Sequence, residues 1–391
     1  SRRIFVILPY TNIIRQSVKV YREALVLPGE DPEEVVAELH CKADFQNKDT
    51  RHLNSLWKAP IIVTTAVAFF ETLSSNRPGA LRRLHQLPGS IIFVDEAHAA
   101  LPLKLMPLAW QWIKVLEEEW NCYWILASGS LVRFWKIPEL VGIETKQIME
   151  VLSEDIRRDL LVYEKNRLQF CWNPKPQSRE ELIDWVMCMP GPRLLIMNTV
   201  QSAAVIADDI RKKYGREQVE HLSTALLPEE REKTIETVKN RLEDQADIDW
   251  VLVATSCVEA GVDFSFRTGF REIASLLSLL QVAGRVNRNG KNVDAKLWSF
   301  QMQDDNMLSN NDGVKVSAEL LKEYFEKDLA ITPELSTTAI LDELKRGTSL
   351  KSTIQRLIDN ENALNFETVT KEFHVIESDT VPGLIQASLA E

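Results

Sequence analysis

Positive charge is what this chain is short of: 46 Lys and Arg stand against 57 Asp and Glu, a net charge of −11 over 391 residues. That excludes a generally basic coat for nucleic acid, so any DNA or RNA contact has to rest on a local groove and on backbone amides. Cysteine is also scarce. The five, Cys41, Cys122, Cys171, Cys188 and Cys257, are odd in number and scattered, with no paired spacing for zinc. They read as reduced core residues of a cytosolic protein. No apolar run approaches bilayer length, and the amino terminus has no signal-peptide layout, so the expectation is a soluble, intracellular protein with no membrane contact. Fixed-period repeats and low-complexity tracts are absent as well.

What is present is enough apolar sequence for roughly two or three cores. Short apolar strand candidates alternate with helical patterns, the signature of parallel α/β layers. The strands expected are Ile4–Leu8, Ile61–Thr64, Ile91–Val94, Tyr123–Ala127, Arg193–Met197, Trp250–Ala254 and Leu297–Phe300. Ser178 with Glu181 makes a capping box opening a helix over Arg179–Met187, and Pro228 suits the first turn of a helix over Glu229–Leu242. A charged stretch, Lys136–Asn166, separates two α/β domains, and a polar run, Gln303–Gly313, closes the second. The domains expected are 1–162, 163–305 and 306–391, the last helical and then extended in pieces such as Val369–Ile376.

Two segments carry chemistry. Ser90–His98 is a strand-type apolar run that ends in Asp95, Glu96 and His98, and carboxylates at the tip of a buried parallel strand face the ligand crevice. There Asp95 suits a nucleotide-bound Mg2+ held through water, and Glu96 suits polarisation of the attacking water. The second segment is Gln281–Arg288. Its spacing predicts a helix with Gln281, Arg285 and Arg288 on one face, a guanidinium fork for polyphosphate. The bland readings are a solvated loop and an exposed basic helix.

Together these segments resemble the nucleotide site of a superfamily 2 helicase with tandem RecA-like cores, the first incomplete here. Further stretches are similar to one branch, the CRISPR-associated helicase-nuclease of type I systems: Leu8–Gln16, Val63-Thr64-Thr65, Asn198-Thr199-Val200, Ala254–Asp263 and Phe366–Val381. The resemblance implies DEAH-type ATP hydrolysis in which Glu96 activates water, Asp95 coordinates Mg2+, His98 couples the nucleotide to the second domain, Arg285 and Arg288 approach the γ-phosphate and Gln281 senses closure. Ser128-Gly129-Ser130 stands where these proteins keep a Ser-Ala-Thr type motif. Ser128 and Ser130 are thus either coupling residues or helix caps. Gly261 suits a tight turn before Asp263, whose carboxylate would bond the ribose or an arginine of the fork.

Thr11, Asn12, Thr64, Thr65, Asn198, Thr199 and Thr255 lie near strand ends and helix starts, where hydroxyls and amides bind phosphate without reading sequence. Plain helix capping is their competing role. Arg133-Phe134-Trp135 is a candidate stacking platform, while Trp110, Trp112 and Trp120 read as core. Arg82-Arg83, Arg157-Arg158 and Arg211–Lys213 read as solvated charge pairs.

Two departures count. The family's Gly-x-x-x-x-Gly-Lys-Ser/Thr phosphate cradle is absent; Gly290-Lys291 is followed by Asn292 and reads as a turn. The expectation is a start after the cradle, with weak ATP binding and little or no turnover in this form. Nor is any of the six histidines followed by Asp, as the family's nuclease domain requires. The partners implied are single-stranded DNA, a Cascade-type surveillance complex and a separate nuclease domain or subunit, in a prokaryotic cytoplasm. The alternatives are a non-catalytic nucleic-acid-binding or docking module, and another superfamily 2 translocase.

Overall fold

The computed structural model describes residues 2–9, 11–39, 56–141, 148–259, 261–346 and 348–375. Two sheets organise them, each with every strand pair parallel. The first holds β1 (Ile4–Leu8), β2 (Val36–Leu39), β3 (Ile61–Thr65), β4 (Ile91–Val94) and β5 (Tyr123–Leu126) in the order β2-β3-β1-β4-β5. The second holds β6 (Gln169–Trp172), β7 (Arg193–Ile196), β8 (Val219–Leu222), β9 (Val251–Ala254), β10 (Thr268–Glu272) and β11 (Lys296–Phe300) in the order β6-β11-β10-β7-β9-β8.

Parallel strands are joined by helical crossovers that cover both faces, so central strands become continuous apolar runs. Strands β7 and β9 are such runs, with every residue buried. One side of the second sheet packs Leu194, Ile196, Leu252 and Leu297, and the other packs Leu195, Val251, Val253 and Phe270, the alternation that a strand's two-residue period imposes. In the first sheet Phe5 and Phe69 pack around Trp57, whose ring stacks on Phe69 at 5.6 Å.

The chain divides into two compact units, one comprising 1–95, 99–126 and 352–391, the other 96–98 and 127–351. The tripeptide Glu96–His98, directly after β4, thus belongs with the second unit. Within the first, Trp112 holds the carboxy-terminal helices: its indole N–H donates to Glu361 at 2.7 Å and its ring meets Phe373.

All seven expected strands are present, and β2, β6, β8 and β10 add to them. The capping box forms at Ser178 and Glu181, opening the helix Arg179–Cys188, and Pro228 starts the helix Pro228–Glu243. Two expectations are corrected. Val369–Glu372 is helical, within Phe366–Glu372, because Asn365 caps that helix through Thr368 N–H; residue 376 lies outside the described part. Arg285 and Arg288 do not continue the helix of Gln281. That helix is Leu276–Ala283, and Gly284 ends it.

Candidate nucleotide site in the second unit

The stop after Ala283 has a physical cause. Val286 forms a β-bridge with Phe266, and Phe266 N–H donates to Arg285 C=O at 2.8 Å, so the backbone leaves the helical path. Asn287 adopts φ +47, a left-handed conformation that asparagine tolerates, and its buried side chain bonds Arg167 C=O and the Asn292 backbone. Arg167, itself buried, donates from Nη1 to the carbonyls of Ala283 at 3.2 Å and Val286 at 2.5 Å. Ala283 C=O also accepts Val286 N–H at 3.3 Å, and the guanidinium adds a bond there, satisfies Val286 C=O and suits the negative end of the helix dipole. The arginine fork therefore sits on a braced turn.

Gln281, in the last helical turn, meets the acid-tipped segment. Its Nε2 lies 2.6 Å from His98 Nε2. His98 Nδ1 is 2.6 Å from Ser128 Oγ, and the Ser128 hydroxyl donates to Glu96 Oε2 at 3.1 Å and accepts from Ser130 N–H at 3.1 Å. One assignment of protons fits every distance. Ser128 spends its single hydrogen on Glu96, so it accepts from His98 Nδ1–H; Nε2 of a neutral ring then accepts from the Gln281 amide. The His98 side chain is 3% exposed and that of Glu96 33%. Glu96 itself holds φ +46, a left-handed position that costs a non-glycine residue on the order of 1–3 kcal/mol.

Arg285 donates from Nε to Val258 C=O at 3.2 Å. Burial, with Arg288 beside it, holds its guanidinium below the usual arginine range, while the carboxylates of Glu96, Asp263 and Glu259 oppose that shift. Arg288 is more open and pairs with Asp263 at 3.1 Å. Of the two bonds expected for Asp263, the one to the fork is made. Gly261 takes φ +82, a conformation glycine adopts without strain.

The hydroxyl and amide residues divide. Thr65 caps the helix Ala66–Leu73 through Ala68 N–H, and Thr199 caps Val200–Tyr214 through Ser202 N–H. Thr64 lies inside β3, wholly buried, donating to Leu39 C=O at 2.8 Å. Thr255 is buried beside Cys257. Asn198 supports loops: its amide donates to Ile273 C=O at 2.9 Å, and its backbone N–H donates to Glu272 at 2.7 Å. Thr11 and Asn12 open the helix Thr11–Leu25, with side chains outside the described part.

Phe134 and Trp135 are buried and pack edge to face at 5.2 Å, which removes them as a stacking platform. Arg133 is held by Glu150 at 2.9 Å. Trp110 is buried, as a core residue should be. Cys188, expected in the core, is exposed.

Among the described residues no cluster of three or more His, Cys, Asp or Glu is arranged to hold a metal, and no helix is long and apolar enough to cross a membrane.

Sequence reasoning missed a polar knot behind this site. Arg271 in β10 is buried, with Nε 3.2 Å from Glu259 Oε1 and Nη1 2.6 Å from Asn198 Oδ1. The signal was Arg271-Glu272 between Phe270 and Ile273: charge inside an apolar run is expected to be paired.

Residues 191–291 match the family described as CRISPR-associated nuclease/helicase Cas3, C-terminal. The likeness is to Cas3. Along its whole length the chain is 22% identical to the CRISPR-associated nuclease/helicase Cas3 of Haloferax volcanii, covering 54% of that protein. Among solved structures, T. fusca Cas3 with ATP matches at a TM-score of 0.67 and 18% identity, over 96% of this chain and 50% of that one. A CRISPR RNA-guided surveillance complex, pre-nicking, matches at 0.59 and 17% identity, over 94% and 47%. The chain thus spans about half the length of the Cas3 proteins it matches, and its two parallel α/β sheets share the fold of T. fusca Cas3.

Proposed function

We propose that this chain is the ATP-driven motor core of a CRISPR-associated helicase acting on target DNA in antiviral defence. The observation that carries the reading is the continuous hydrogen-bonded path Gln281–His98–Ser128–Glu96, with Arg285 and Arg288 on the turn just beyond Gln281. Glu96 would orient and deprotonate the attacking water, and Arg285 and Arg288 would meet the charge that develops on the γ-phosphoryl oxygens. Bound Mg2+ would neutralise phosphate charge, held by Asp95 through water. Ser128 and His98 would carry a change at Glu96 to Gln281. The open and partly neutralised state of Arg288, paired with Asp263 at 3.1 Å, suits a group that exchanges partners when triphosphate arrives.

DNA contacts are assigned to Thr11, Asn12, Thr65, Thr199 and Thr255, through helix starts and backbone amides. Single-stranded DNA and a surveillance complex are the partners this reading implies, and the likeness to a surveillance-complex structure supports it. No Gly-x-x-x-x-Gly-Lys-Ser/Thr run occurs in the 391 residues, so weak ATP binding and very slow turnover are expected of this chain alone. The same observation favours a second reading, a helicase-fold module that docks nucleic acid without turnover.

Titration of ATP and single-stranded DNA against this chain, and against a version extended upstream through such a loop, separates the two. DNA-stimulated hydrolysis in the extended protein supports the motor. Tight nucleotide binding with no hydrolysis there would leave only the docking module.

A further inference from the structure

We infer that Glu259 is a positioning residue for Arg285, acting through a buried charge triangle whose other corners are Arg271 and Ser278. Glu259 is 7% exposed and follows directly after Val258, the residue whose carbonyl receives Arg285 Nε. Its Oε1 accepts from the Ser278 hydroxyl at 2.7 Å and faces Arg271 Nε at 3.2 Å; Arg271 Nε in turn donates to Ser278 Oγ at 2.9 Å. The three corners come from three elements: the turn after β9, the strand β10, and the first turns of the helix Leu276–Ala283 that delivers Gln281 and Arg285.

A buried ion pair closed by hydroxyl bonds need not stabilise a fold, since an apolar replacement of similar volume is often as stable or more so. What such a pair does supply is a defined geometry. Here burial pushes the Glu259 carboxyl up while Arg271 and the Ser278 hydroxyl oppose that shift, and those two contacts fix the turn whose Val258 carbonyl receives Arg285. The Arg285 guanidinium is part buried and next to the like charge of Arg288, opposed by Glu96, Asp263 and Glu259. Without Glu259 the turn would no longer hold Val258 C=O in place, and Arg285 would keep only the 3.4 Å contact of its Nη1 with Gly284 C=O. Asn198 fixes the far side of Arg271 at 2.6 Å, so the triangle also ties the loop after β7 to the fork.

The inference rests on the motor reading for its kinetic consequence, but the geometric claim stands without it. The test uses the chain extended through an upstream phosphate loop. Two readouts are taken: the Nε–H resonance of Arg285, identified by its loss in Arg285→Lys, and the kcat and KM of ATP hydrolysis. Glu259→Gln keeps size and the Ser278 bond but removes the charge. It should displace the Arg285 resonance and lower kcat on the order of a hundredfold, as misplacement of a reacting group does, with KM little changed. Glu259→Gln combined with Arg271→Met removes both buried charges and should recover the melting temperature, yet leave the resonance displaced and kcat low. A double variant that regains the wild-type resonance and kcat overturns the inference, since Glu259 then serves the fold alone. If the double variant does not fold, Ser278→Ala loosens the same carboxylate and must displace the resonance; an unmoved Arg285 signal overturns the inference there. A displaced resonance in an extended protein with no hydrolysis at all would sink the motor and leave the positioning intact.

Discussion

His98 and Gln281, 183 positions apart in sequence, meet nitrogen to nitrogen at 2.6 Å, so one must donate and the other accept. An amide nitrogen only donates, so the imidazole Nε2 accepts, and the Ser128 hydroxyl, whose hydrogen goes to Glu96, agrees by accepting from His98 Nδ1–H. Gln281→Leu should therefore leave a buried imidazole nitrogen without its donor and lower stability by about 1–3 kcal/mol, the cost of an orphaned polar group. Denaturant melting of the chain measures this. An unchanged midpoint would mean that the contact is idle.

Glu96→Gln keeps the shape of the side chain and its bond from Ser128 but removes the base. The expected outcome in a cradle-bearing protein is nucleotide affinity within about threefold of wild type and ATP turnover lost by a factor on the order of 10³ or more. Equal turnover in the two proteins would strip Glu96 of its role.

For Arg285→Ala, loss on the order of a thousandfold in kcat is expected if the side chain acts as an arginine finger. Since Arg285 Nε also braces Val258 C=O, a small stability change should accompany it. A rate loss below tenfold would assign the residue to the turn and not to the chemistry.

Arg167 makes a purely structural prediction. Removing its guanidinium in Arg167→Ala exposes no phosphate site but takes the donor from Val286 C=O and leaves Ala283 C=O with the Val286 N–H bond alone. At about 1–3 kcal/mol for a buried acceptor left without a donor, the chain should lose stability of that order. Thermal unfolding that matches the wild type would show that water replaces the fork.

His221 provides a pH test. Burial holds its pKa below the ordinary 6.5, and the ring's Nδ1 has no partner. The folded state thus resists protonation more than the unfolded chain does. Its contribution to stability is complete above 6.5 and is lost as the pH falls from there through the lowered folded value. The difference in unfolding free energy between wild type and His221→Leu should shrink in that direction between about pH 7.5 and 5. A constant difference would place the imidazole in water.

Much of this fold can be read from residue pattern because central parallel strands are apolar throughout: Arg193–Ile196 and Val251–Ala254 announce themselves. Strands β2, β6 and β8 do not, and all three are sheet edges, where burial on one side leaves room for Glu38, Gln169, Glu220 and His221. Strand β10 is central but ends in Arg271 and Glu272, whose charges are hidden in contacts that no local window reveals. At the site, Asp95, Glu96 and Gln281 fall where strand and helix periodicity put them. The periodicity of Arg285 and Arg288 misled, because the helix is ended by Arg167, more than a hundred residues upstream, and by the left-handed Asn287. Thr64 misled for the reverse reason, one residue further inside its strand than a loop contact needs.

The φ of +46 at Glu96 sets thermal robustness against chemistry at one codon. Glycine there would relax the main chain and delete the carboxylate in the same stroke. Selection of this chain for heat resistance alone should therefore drift toward glycine at 96, and the survivors of such a screen would be sturdier and would lack the carboxylate that the motor reading requires.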